Sequence, residues 1–260
     1  MKAIRSYSYK PSPNFTGKGR KKNPRYFGVE LETYPAKNTY AGREYALNRL
    51  AEYEANLGFA PDSFVYCKSD SSLYEGFGFE IVTHPFTRDW MYRNRVFAGL
   101  AKCSLSSLPY DSTGIHVHVN KASMSVTTIA KLLYFFSLEK TDELLTKVGQ
   151  RQWNRYCQKP VKGSAKEYIK DRGRWASRYC ALNVTGEHTI EFRFFKGNAA
   201  PEALYRAVEF CDAIVNYCTS TTVNKLCPVA FAEYVKTERR ESNKKSRSFK
   251  YPYLRKHLSK

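Results

Sequence analysis

The chain predicts a mixed α+β fold with a largely antiparallel sheet. Three observations lead there. Short segments alternate apolar and polar residues with period 2, as half-buried strands do. Segments with helical spacing are interleaved among them. Two of the alternating segments, "RYCALNV" and "TIEFRFF", are joined only by the turn "TGEH". With 42% apolar and 15% aromatic residues, the composition is that of a globular protein.

Taken in order, "SYKPSPNFTGKGRKKNPR" is rich in Pro, Gly, Asn and Lys and reads as an extended or disordered arm. "RYFGVELETY" alternates as a strand. "REYALNRLAEYEANLG" has helical spacing and ends at Gly58, a C-cap residue. Short strands are expected at "SFVYCK" and "GFEIVTH", then one amphipathic helix over "TRDWMYRNRVFAGLAKC", then the strand "GIHVHVN". Helices are expected near 124–139 and 141–148. Residues 150–175 are polar and Arg-rich and read as a long surface loop or lid. "PEALYRAVEFCDAIVNYC" is a helix opening with Pro201 at its first position. The end, "KTERRESNKKSRSFKYPYLRKHLSK", is a basic tail.

The formal charge of +19 is concentrated at the two ends. Residues 1–25 carry eight bases and no acid, and 236–260 carry ten bases and two acids, leaving the intervening body near balance at +3. A nucleic-acid groove through the body is therefore not supported, whereas the ends suit nonspecific contact with nucleic acid or an acidic protein. Seven cysteines without CxxC spacing suggest reduced thiols in a cytoplasm. No apolar run reaches membrane-span length, and the first residues lack the apolar core of a signal peptide. P-loop, GxSxG and HExxH patterns are absent.

Chemistry is expected on the strand faces. Three strands carry ionisable residues two apart: Glu30 and Glu32, His116 and His118, Glu191 and Arg193. One such pair alone fits a solvated sheet face. Three, composed only of acids, His and Arg, offer what divalent cations and phosphates require if the faces converge. "KSDSSLYEGFGFEIVTHP" adds Glu80 on a strand and Asp70 in the turn before it.

The ordered set "FGVELE", "KSDSSL…GFEIVTHP", "TGIHVHVN" and "RYCALN…TIEFRFF" resembles the amidoligase family of glutamine synthetase-like carboxylate–amine ligases, over roughly residues 26–197. The resemblance implies a glutamine synthetase-like catalytic domain at 26–235, with a largely antiparallel curved sheet flanked by helices, between a basic flexible arm at 1–25 and a basic tail at 236–260. It implies ATP and Mg2+ (or Mn2+) as cofactors. Glu30 and Glu32 would each face a different ion, and Glu80 would share one of them. His116 and Glu191 would complete a second metal site. Arg193 would hold the transferring phosphate, with Arg178 as a second phosphate contact. His118 and Asn120 would sit nearer the nucleotide or acyl substrate, and Asp70 would position the amine. Thr113 stands where the family often has Cys.

The implied reaction joins a carboxylate, from an amino acid, peptide or protein, to an amine through an acyl phosphate. Positioning and electrostatics carry most of such chemistry. An acyl phosphate hydrolyses readily, so the span 151–175 is the candidate for a water-excluding lid. Two alternatives stay open from the residues: a metal-dependent nuclease or phosphoesterase, and a noncatalytic nucleic-acid-binding protein on a ligase scaffold.

Overall fold

The expected strands exist, and antiparallel pairing dominates among them. The computed structural model describes residues 2–17, 23–73, 76–106, 113–170, 179–239 and 248–260. The chain divides into two units: Met1–Val119 with Lys196–Leu204, and Asn120–Phe195 with Tyr205–Lys260. The span 26–235 contributes to both units, and each unit includes one of the basic ends.

In the first unit the strands are β1 (Ile4–Arg5), β2 (Tyr26–Pro35), β3 (Val65–Lys68), β4 (Phe79–Thr83), β5 (Phe86–Thr87), β6 (Leu105–Ser106) and β7 (Gly114–Asn120). They run in the order β1-β3-β4-β2-β7, with β5 and β6 pairing to β2 outside that path. Strand β1 pairs parallel with β3, through Ile4 opposite Cys67, and an isolated bridge joins Thr16 to Phe86 in parallel; the pairs of β2 with β4, β5, β6 and β7 and of β3 with β4 are antiparallel. Phe27, Val29 and Leu31 alternate inward on β2 and are at most 2% exposed, so period-2 burial sets the register.

The helices of this unit are α1 (Tyr40–Asn56), α2 (Arg88–Arg93) and α3 (Val96–Leu100). Thr39 caps α1 by accepting from the Gly42 amide, and Gly58 beyond its end has φ +83, which glycine adopts without steric penalty. The single helix expected over 87–103 is broken in two. Arg95 sits at φ 48, ψ 42, a left-handed conformation that an α-helix cannot propagate. Hydrophobic spacing continues across the break, which is why the pattern concealed it.

The expected arm is corrected as well. Over 2–17 the chain forms β1 and lies along the unit: the Lys2 ammonium contacts Glu54 at 2.6 Å, the Thr16 amide donates to the Pro85 carbonyl, and the Thr16 carbonyl accepts from the Thr87 amide. Composition predicted a solvated segment, but Lys2 finds a buried carboxylate, which no count of lysines reveals.

In the second unit the elements are α4 (Val126–Ser137), α5 (Asp142–Gly149), α6 (Ser164–Lys170), β8 (Leu182–Asn183), β9 (Thr189–Lys196), α7 (Pro201–Ser220), α8 (Pro228–Thr237) and α9 (Pro252–Leu258). β8 and β9 form the expected antiparallel pair, with Asn183 opposite Glu191. The core is aromatic. Phe136, Phe192, Phe194 and Phe210 meet edge to face or tilted, with ring centroids 5.2–6.5 Å apart, a favourable geometry for ring quadrupoles.

Two expectations change in this unit. The lid span contains α6 and is pinned at its start: Lys159 pairs with Asp142 at 2.7 Å, and Trp153 donates to the same carboxylate. Its last residues, 171–175, lie outside the described residues. The basic tail contains α9, with Tyr251 and Leu254 fully buried. Two apolar residues decide its docking, against a background of charge that dominates the composition.

No described helix is long and apolar enough to cross a membrane. All seven cysteines are free, and six are buried.

Candidate functional site

The first unit gathers acids and imidazoles by register alone. Glu30 on β2 lies opposite Val82 on β4 and His116 on β7; Glu32 lies opposite Glu80; His118 lies opposite Gly28. Directly paired residues of antiparallel strands share a face, and residues two apart share it too. Glu30, Glu32, Glu80, His116 and His118 therefore occupy one face of β4-β2-β7.

Glu30 is the centre of this group. One of its carboxylate oxygens is 3.2 Å from His118 Nε2 and the other is 3.5 Å from His116 Nδ1. The second nitrogen of His116 is 3.8 Å from Glu32. Burial pushes the Glu30 carboxyl up, but the charges and hydrogen bonds of His118 and His116 outweigh it and hold Glu30 well below the usual carboxylate range. Glu80 goes the other way. Burial, then the Glu30 charge and a hydrogen bond to Glu30, push it up to about 9, with Lys68 opposing and Asp70 adding to the rise. The two carboxyls therefore titrate as a pair, and Glu80 is the one pushed toward its neutral form.

Lys68 and Tyr66 on β3 belong to the same face, since Lys68 pairs with Glu80 and Tyr66 with Val82. The Lys68 ammonium is 3.5 Å from Glu80. Sequence reasoning missed both residues. The signal was present in "SFVYCK", where Tyr66 and Lys68 also stand two apart on a strand.

The second unit holds the other pair. Arg193 is paired with Glu191 on the same strand face, and the Asn183 amide donates to Glu191 at 2.9 Å. Ile190, Phe192 and Phe194 on the opposite face are at most 1% exposed, which fixes the strand and so the direction of both charged side chains. The Arg193 guanidinium keeps Nε without a hydrogen-bond partner among the described residues, a donor still to be used.

The remaining expected residues separate. Asp70 closes a turn by accepting from the Ser72 amide at 2.7 Å, and its charge reaches Glu80. Asn120 ends β7, and its carbonyl accepts from Ser123. Arg178 lies outside the described residues. His84, the last residue of "GFEIVTH", has both ring nitrogens engaged, by the Asn14 amide and the Asp62 carbonyl, and serves packing.

No protein-family model matches the chain, and no curated protein does.

Proposed function

We propose that the protein is an ATP-dependent carboxylate–amine ligase of the amidoligase type, working through an acyl phosphate. The observation that carries the reading is the convergence of Glu30, Glu32 and Glu80 with His116 and His118 on one face of β4-β2-β7, where Glu30 lies 3.2 Å from His118 and 3.5 Å from His116. Two carboxyls held this close resist joint ionisation unless a cation sits with them. Hard oxygen ligands with an imidazole suit Mg2+ or Mn2+, so the residues fit the expected ion.

Glu30, Glu32, Glu80 and His116 would hold divalent ions. When bound, such an ion offsets the repulsion between a phosphate chain and an attacking carboxylate. His118 keeps Glu30 ionised and oriented through its 3.2 Å contact. Arg193 supplies a planar, permanently charged donor for phosphoryl oxygens, with Glu191 and Asn183 aligning it. Lys68 adds a cation beside Glu80 that would compensate the carboxylate once its proton leaves. The ligand role that the resemblance gives Glu191, and the amine-positioning role of Asp70, belong to this reading.

The test is an ADP-release screen over amino acids and peptides with amine acceptors, with Glu30→Gln as control. Mg-ATP should raise the melting temperature of the native protein and not that of the variant. ADP release above the control for some acid–amine pair is expected. Metal-dependent cleavage of nucleic acid without ATP would replace the ligase reading by a hydrolytic one.

A further inference from the structure

A groove of about 350 Å³ opens on the first unit between α1 and the α2–α3 turn. Three cations stand around it, Arg49, Arg95 and Lys102, against one acid, Glu52. Glu52 already pairs with Arg49, and both side chains are well exposed, so that pair is weak and easily opened. Neither Arg95 nor Lys102 has an ion-pair partner among the described residues, and both are exposed.

The floor is apolar. The Tyr53 ring is 7% exposed and is tied down by its hydroxyl to the Val96 carbonyl at 3.0 Å. Gly99 lies flat on that ring; a Cβ there would come within 2.7 Å of it. Glycine therefore lets α3 pack directly against the ring that forms the floor. The Cys103 thiol beside it is buried and pushed up to about 12, so it stays neutral.

Arg95 is also strained. A bulky residue at φ 48 pays a conformational penalty that glycine there would avoid, and such outliers concentrate at ligand sites. The turn that breaks the expected helix is the turn that sets Arg95 at the rim.

We propose that this groove binds a small organic anion, with a carboxylate or phosphate between Arg95 and Lys102 and an apolar body on Tyr53 and Gly99. Its size falls within the range of small-molecule sites. No residue of β2, β4 or β7 lines it, so it is separate from the carboxylate–imidazole face and does not depend on the ligase reading.

The test titrates phenyl phosphate, phenylacetate, inorganic phosphate and phenethylamine into 15N-labelled protein and follows backbone amide shifts. Saturable shifts at Gly99 and Lys102 are expected with the two aromatic anions and not with the amine. Which anion binds tighter identifies the headgroup. Arg95→Glu with Lys102→Glu should weaken binding about tenfold or more, as loss of charge-assisted hydrogen bonds does. Both positions are exposed, so the fold should survive, checked by circular dichroism. Arg95→Gly should raise the melting temperature while weakening binding, an outcome that a purely structural arginine would not give. Glu30→Gln should leave these shifts unchanged, whatever becomes of the ligase assay. Equal shifts with phenethylamine, equal affinity for inorganic phosphate alone, or unchanged affinity in the double variant would overturn the proposal.

Discussion

The two basic ends look alike in composition and are held by opposite means. At the N-terminal end a charge is buried. Lys2 is 3% exposed and contacts Glu54, 1% exposed, together with Asp62. Glu54 also accepts from the amides of Asp62, Phe64 and Val65. At the C-terminal end apolar side chains are buried and the charge stays outside. Tyr251 and Leu254 are sequestered, Glu209 accepts from the amides of Tyr253 and Leu254 at the start of α9, and Phe249 lies between the guanidinium groups of Arg239 and Arg255. Lys256 and Lys260 remain exposed. One end buries an ammonium against carboxylates; the other is held by buried apolar side chains, with Lys256 and Lys260 left on the surface.

The difference matters for function. Removing 236–260 to test a nucleic-acid role would also strip α9 from the second unit and uncover Glu209, so loss of binding would not be informative. Point changes separate the effects.

The largest expected effect is at the buried ion pair. Glu54→Ala removes the partner of Lys2 and the acceptor of three amides, and should lower stability by about 4 kcal/mol in urea denaturation. A loss below about 1 kcal/mol would mean that the N-terminal end is not clamped as described. Next comes Glu209→Ala, which strands two amides at the start of α9 and should cost about 2 kcal/mol. It should also open residues 248–260 to protease before the rest of the chain.

Acid should release the two ends in sequence. Burial chiefly, with Arg206, Lys147 and Lys260 adding to it against a hydrogen bond to the Lys147 carbonyl, lowers His257 below its ordinary 6.5. A lowered value means that His257 contributes stability above 6.5, lost as pH falls through the folded value. Burial pushes Asp62 up, but Arg5 and Lys2 outweigh it and hold the carboxyl below its ordinary 3.8. Its contribution is present above 3.8 and is lost only as pH falls below that. Hydrogen exchange from pH 8 downward should therefore show α9 loosening before β1. The reverse order would break the contrast.

The smallest structural effect belongs to Lys256→Glu with Lys260→Glu. Both are exposed, so stability should change by less than about 0.5 kcal/mol. If the C-terminal charge serves a polyanion, the same variant should weaken salt-dependent binding of a single-stranded oligonucleotide; unchanged binding would remove that role from these residues.

Much of the carboxylate–imidazole face was legible because strand alternation is a local property. "GVELE" and "HVH" place their acids and imidazoles on one side of a strand whatever the fold, and the apolar alternates fix which side. "TIEFRFF" likewise announced Glu191 and Arg193 over a phenylalanine core. Lys68 is not legible locally, because a lysine at strand spacing equally fits a solvated sheet face, and only the pairing with Glu80 buries it. The break at Arg95 left no trace in periodicity, since Trp90 and Phe97, seven apart, and Leu100, three further on, keep helical spacing while the backbone turns.

By itself the sequence determined which residues could share a strand face, because that depends on period and on nothing distant. Tertiary structure alone decided how those residues affect one another. That Glu30 is pushed down while Glu80 is pushed up follows from register across three strands and from burial. That Lys2 is core and Lys256 is surface follows from whether a buried carboxylate waits 52 positions away. Neither could be read locally, because desolvation and charge pairing depend on neighbours in space and not on neighbours in the chain.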